Sequence, residues 1–197
     1  MTPLAVIRHG PTAWNDDGRM QGRQDMPLSD QARAALARRR APPELDGFAW
    51  VSSPLARARA TARLLAPDHD PTIEPALTEM AWGDWEGETL DALRARLGAA
   101  FDANADRGLD FTPPGGESPR MVQQRLRPWL ARVGAAGRPT VAVTHKGVIR
   151  ALLGLATGWD FLGKPPARLD WSAAHVFAVA RDGTLAVERL NLALAAR

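Results

Sequence analysis

The chain has 197 residues, 25 of them basic and 22 acidic, for a formal charge of +3, and 45% are hydrophobic. Its pI near 10.4 reports what is missing, because no Tyr or Cys titrates and every basic residue except Lys146 and Lys164 is arginine. These figures exclude a disordered chain, a disulfide framework, thiol catalysis and thiolate metal sites, and they lend no support to nucleic-acid binding.

Leu4–Ile7 is a short apolar run ending in Arg8-His9-Gly10, the pattern of a buried strand that meets a loop. Residues 10–28 form a long polar loop. Ser29 caps a helix predicted over Asp30–Arg40, which Pro42-Pro43 terminates. A strand is expected at Phe48–Val51, and Ser53-Pro54 opens a helix to about Ala66 with Leu55, Ala58, Ala62 and Leu65 on one face. Thr72–Glu74 reads as a short strand, Leu77–Gly87 as a loop dense in Trp and acid, and Thr89–Leu97 as a helix. Pro113-Pro114-Gly115-Gly116 breaks the chain, and Ser118 with Pro119 starts a helix to about Val133. Thr140–Thr144 is another apolar strand ending in a histidine, followed by a helix over Val148–Ala156. His175–Ala180 and Thr184–Leu190 read as two strands turning at Asp182-Gly183.

This alternation predicts an α/β fold: a three-layer α/β/α sandwich, a mostly parallel central sheet, one domain over residues 1–197, and a small cap at 82–114. The N-terminus lacks a basic segment and its apolar run is too short for a signal peptide or membrane span, which suits a cytoplasmic protein that does not engage membranes.

Ligands in open α/β sheets bind at the carboxyl ends of the strands. His9 and His145 both fall there, in the similar segments Val6-Ile7-Arg8-His9-Gly10 and Val143-Thr144-His145-Lys146-Gly147. If the two strands are neighbours, both imidazoles enter one pocket, and each nearby glycine brings backbone N–H groups close to a ligand. Arg8 and Arg57 offer fixed guanidinium donors for a two-pronged anion clamp. Arg59 and Arg63 read as helix-surface charges, His69 as loop, and His175 as an ordinary strand residue. Two histidines beside two arginines repel a cation, so neither a metal nor another cofactor is implied.

The chain resembles the histidine phosphatase (phosphoglycerate mutase-like) superfamily over nearly its whole length. The resemblance rests on Arg8-His9-Gly10-Pro11-Thr12-Ala13-Trp14-Asn15, Pro27-Leu28-Ser29, the Ser53–Ala62 stretch, Leu77–Gly87, Gly115-Gly116-Glu117-Ser118 and Thr144–Arg150, in that order. It implies a covalent phosphohistidine on His9, with Arg8, Arg57 and His145 holding the transferring group and Glu79 as the acid for the leaving oxygen. Asn15, Gln21, Gly22 and Lys146 are the candidate substrate-binding residues. Glu79 alternatively pairs with an arginine. Trp82 and Trp85 either lower the polarity around Glu79 or pack the loop. Lys146 either reaches a second anionic group or points to solvent. It departs from the small or neutral residues common there, as Pro11 departs from an acidic one.

Only about 35 residues separate Glu79 from Gly115-Gly116-Glu117-Ser118, which leaves no room for the longer insertion of the mutases. The Trp82–Gly87 pattern looks like the small phosphatases, including the α-ribazole phosphatase-like branch. The expected activity is therefore hydrolysis of a small phosphorylated metabolite. The alternatives are mutase-type phosphoryl transfer, and a non-catalytic protein that binds a phosphorylated ligand.

Overall fold

The computed structural model describes residues 1–197. Its strands are β1 (Thr2–Arg8), β2 (Arg39–Arg40), β3 (Ala49–Ser52), β4 (Thr72–Ile73), β5 (Thr140–Thr144), β6 (Ala173–Val179), β7 (Leu185–Ala193) and β8 (Ala195–Ala196). Its helices are α1 (Ala13–Asp16), α2 (Asp30–Ala37), α3 (Ala56–Leu65), α4 (Leu90–Leu97), α5 (Ala99–Ala105), α6 (Pro119–Ala136) and α7 (Lys146–Thr157).

An uninterrupted apolar run has no face to give to water, so Leu4–Ile7 belongs in the middle of a sheet. The six-stranded sheet has the order β4-β3-β5-β1-β6-β7, with β1 parallel to β5 and antiparallel to β6. Only β6 runs against the others, which makes the sheet mostly parallel. Side chains alternate across β1. Leu4 and Val6 enter a core with Leu126, Leu130, Ile149 and Leu152 of α6 and α7. Ala5 and Ile7 enter another with Ala58, Ala62 and Leu65 of α3, on which Leu36 of α2 packs. Helices therefore cover both faces, giving the three layers. No helix is long and apolar enough to cross a membrane.

Several boundaries differ from those expected. α2 stops at Ala37, because Arg39-Arg40 leave the helix to pair with Ala195-Ala196. α3 starts at Ala56: Ser53 N–H still bonds the Val143 carbonyl at 2.9 Å, and Asp25 Oδ1 accepts the Ala56 N–H at 2.7 Å. α7 starts two residues before Val148, with His145 at its N-cap position. α6 keeps the Ser118 cap, whose hydroxyl accepts from Met121 N–H at 3.2 Å, but runs on to a left-handed Gly137. α5 was not expected. Gly98, at φ 51°, separates it from α4, and a small cluster of Trp85, Leu93 and Phe101 joins the two helices to the loop before them.

Candidate active site

Parallel pairing of β1 with β5 sets Arg8 opposite Thr144, and His9 N–H continues the ladder to the Thr144 carbonyl at 2.9 Å. The two histidines therefore leave adjacent strand ends together. Their ring centroids are 5.0 Å apart and both side chains are buried. Gly10 N–H then bonds Thr61 Oγ1 at 2.9 Å, and that hydroxyl donates to the Arg57 carbonyl at 2.8 Å, which fastens the His9 turn to α3.

His9 Nδ1 lies 2.7 Å from the Gly10 carbonyl. A carbonyl can only accept, so Nδ1 carries the proton and Nε2 holds the lone pair. Burial, then the charges of Arg57 and Arg8, push this imidazole well below its usual pKa and keep it neutral. His145 is driven down in the same direction by burial, His9 and Arg57. Its Nε2 is 2.7 Å from Ser53 Oγ, and its Nδ1 is buried with no partner.

Arg57, fully buried, gives Nη1 to the Gln24 carbonyl at 2.7 Å and Nη2 to the Gly22 carbonyl at 2.8 Å, and aims Nε at His9 Nε2 across 3.3 Å. The clamp is thus unequal: Arg57 is locked, whereas the buried Nε of Arg8 has no partner. Glu79 is buried, with no arginine nitrogen in ion-pair contact, and Arg57 and Arg8 act on it through charge. Oε1 accepts from Met80 N–H at 2.8 Å and Oε2 from Gly147 N–H at 3.2 Å. Burial raises its pKa above the usual carboxyl range, against the pull of those N–H groups and of Arg57 and Arg8.

Both glycines of the histidine segments serve differently from expectation. Their N–H groups are occupied, by Thr61 and by Glu79. A Cβ at Gly10 would stand 2.6 Å from Leu36, and one at Gly147 2.5 Å from Glu79 Oε1, so close packing requires them. Trp85 packs on Phe101 and Phe111, and Trp82 on Phe111, within the 82–114 segment.

Among the binding candidates, Asn15 spends its Oδ1 on Thr12 N–H at 3.0 Å and keeps its NH2 free. Gln21 is buried with an unpartnered Oε1. Gly22 holds φ 50°, and a Cβ there would strike Glu86 Oε1 at 1.9 Å. Lys146 is exposed, with Nζ 5.4 Å from the Trp171 ring centroid. Sequence reasoning gave no role to Ser53, Thr61, Glu86 or Trp171. Glu86 accepts from Arg23 N–H and Trp82 N–H, which ties the lip to the cap. A groove of about 1230 Å³ leads away from Arg8, His9 and Gly10 between α2 and the Arg168–Ser172 segment, and no residue of the 82–114 cap lines it.

The chain has relatives among known proteins. The model of the histidine phosphatase superfamily (branch 1) matches residues 4–192. A glucosyl-3-phosphoglycerate phosphatase of Mycolicibacterium vanbaalenii is 36% identical over 178 residues, which span 81% of this chain and 78% of that protein. A 2,3-bisphosphoglycerate-dependent phosphoglycerate mutase of Methylobacterium radiotolerans is 31% identical, over 93% of this chain and 92% of its own. The α-ribazole phosphatase of Shigella flexneri superposes with a TM-score of 0.81 at 25% identity, over 100% of both chains. On the extent of these matches, the chain belongs to branch 1 of the histidine phosphatase superfamily.

Proposed function

We propose that the chain hydrolyses a small phosphorylated metabolite with His9 as nucleophile and Glu79 as general acid. The observation that carries this assignment is the His9 tautomer: the Gly10 carbonyl holds the proton on Nδ1, so the lone pair is on Nε2, where it accepts from Arg57 Nε until a phosphoryl oxygen takes that donor and frees it for phosphorus. Nε2 attacks phosphorus, the P–O ester bond breaks, and the leaving oxygen takes the Glu79 proton. The Glu79 carboxylate then removes a proton from water, whose oxygen attacks the phosphohistidine. The P–N bond breaks, and His9 returns neutral with its Nδ1 proton never displaced. Ser53 Oγ accepts from Leu55 N–H, and with its own O–H directed at His145 Nε2 the remaining Nδ1–H of His145 is a donor to the phosphoryl oxygens.

Phosphomonoester hydrolysis needs accelerations of up to about 10²¹-fold, more than a nucleophile supplies. Each fixed donor around the phosphoryl group contributes about 3–4 kcal/mol. Arg8, Arg57, His145 and the free NH2 of Asn15 are those donors. Gln21 and Gly22 shape the lip beside Arg57. Relatives named as phosphatases support hydrolysis. Those named as mutases support the second reading, transfer to another metabolite. The span of about 35 residues between Glu79 and Gly115-Gly116-Glu117-Ser118 is short for the insertion of a mutase, which favours hydrolysis.

Rapid mixing with ³²P-labelled phosphomonoester tests the assignment. Wild-type protein should carry acid-labile label and His9→Ala none. Label that survives acid, or persists in the variant, would move the nucleophile elsewhere.

A further inference from the structure

Arg57 is held by three side-chain hydrogen bonds, but the Arg8 side chain has none, meets Glu79 only through charge and not in an ion pair, and keeps a buried, unpartnered Nε. Its guanidinium faces the ring of Trp171, with Cζ 5.8 Å from the centroid. The same ring receives Lys146 Nζ at 5.4 Å. The cation before His9 and the cation after His145 therefore both lie over the Trp171 ring, whose π-faces attract both.

Trp171 is itself held in place. Two residues of β7, Leu190 and Asn191, oppose the single His175 of β6, a bulge that puts Asn191 at φ 60°. The extra N–H, that of Asn191, finds His175 Nδ1 at 3.2 Å. The bulge re-aims the Asn191 carboxamide at the neighbouring segment. Oδ1 accepts from Asp170 N–H at 2.7 Å, and Nδ2 donates to the Arg168 carbonyl at 3.0 Å. Asp170 Oδ1 in turn accepts from both the N–H and the hydroxyl of Ser172. Ala173 N–H closes the turn on the Asp170 carbonyl at 3.1 Å. Every one of these bonds lies beside Trp171, so the turn fixes where its side chain leaves the backbone, and the ring packs against the core of Leu4 and Val6 while it receives the two cations.

We propose that Trp171, held by the Asn191 bulge, is a positioning residue that orients Arg8, and with it Lys146, for the incoming phosphate. This rests on the assignment of Arg8 to the phosphate clamp. It acts through Arg8 and touches no reacting atom.

The test is a double-mutant cycle on hydrolysis of p-nitrophenyl phosphate, with calorimetric binding of inorganic phosphate alongside. Trp171→Leu should lower kcat/KM by about tenfold, mainly through KM, and weaken phosphate binding to match, while Trp171→Phe recovers most of the loss. Asn191→Gly keeps the left-handed backbone, removes the carboxamide, and should move both readings the same way. In an Arg8→Ala background the effect of Trp171→Leu should shrink to about twofold or less, the share left with Lys146. An equal loss in both backgrounds, or no loss in wild-type protein, would overturn the proposal. Should Trp171→Leu not fold, the same cycle run with Asn191→Gly decides it. If Arg8→Ala itself changes nothing, the clamp assignment fails and takes this proposal with it, a result distinct from failure of the Trp171 step alone.

Discussion

Glu79→Gln removes the proton donor and one acceptor oxygen together, and two leaving groups tell the losses apart. Both carboxyl oxygens accept a backbone N–H, from Met80 at 2.8 Å and Gly147 at 3.2 Å. A protonated carboxyl has lone pairs for both bonds while its O–H goes to the leaving oxygen. A carboxamide has one acceptor oxygen, so one buried N–H would face an NH2 group, at a stability cost of about 1–3 kcal/mol. The catalytic loss depends on the leaving group. An alkoxide must be protonated, so kcat/KM for glycerol 2-phosphate should fall by about 10²–10⁴. p-Nitrophenolate leaves without a proton, and its ester should slow by less than about tenfold. Because burial raises the Glu79 pKa, the glycerol 2-phosphate rate should decline as pH rises through that value. That decline should be absent for p-nitrophenyl phosphate and absent in the variant. Equal falls in kcat/KM, which reports the step that forms the phosphohistidine, would refute the acid role.

Two further outcomes are expected. Hydrolysis of p-nitrophenyl phosphate should survive dialysis against EDTA undiminished, and strict restoration by Mg²⁺ or Zn²⁺ would contradict the phosphohistidine route. Stability should fall under acid conditions, because burial keeps His9 and His145 unprotonated in the native state. In the unfolded chain histidines bind protons below about pH 6.5, so the contribution is complete above that pH and is lost as pH falls, at up to about 1.4 kcal/mol per unit per histidine. Urea unfolding between pH 7.5 and 5.5 should show this slope, reduced by one histidine's share in His145→Gln; an unchanged slope would mean that His145 titrates in the native protein.

The strand ends were legible because Leu4–Ile7 and Thr140–Thr144 are apolar at positions a half-exposed strand would give to water, and each runs straight into a histidine. That pairing is what brought His9 and His145 together. The purpose of the glycines was not legible. A sequence shows that Cβ is missing, and only the fold shows that Leu36 and Glu79 take its space. Ser53, Thr61 and Trp171 had no local signal, since each acts on a partner brought to it by the sheet or by a bulge in a distant hairpin. α5 escaped notice because its one large buried anchor is Phe101, too little for a helical period. Glu79 emerged only through the family resemblance, as nothing in Leu77–Gly87 marks one acid above another.

The lip of the site is riveted to the cap. Met20 N–H bonds the Glu88 carbonyl, Gly87 N–H bonds the Met20 carbonyl, Glu86 accepts Arg23 N–H, and the Arg23 side chain pairs with Glu117 at 3.0 Å. Parting this side breaks all four links together, at about 1 kcal/mol each. Between α2 and the 168–172 segment no hydrogen bond or ion pair crosses the groove. The two sides of the His9 turn therefore differ in the work needed to part them: residues 20–23 stay with the 82–88 segment unless several bonds break together, whereas no such bond has to break between α2 and the 168–172 segment.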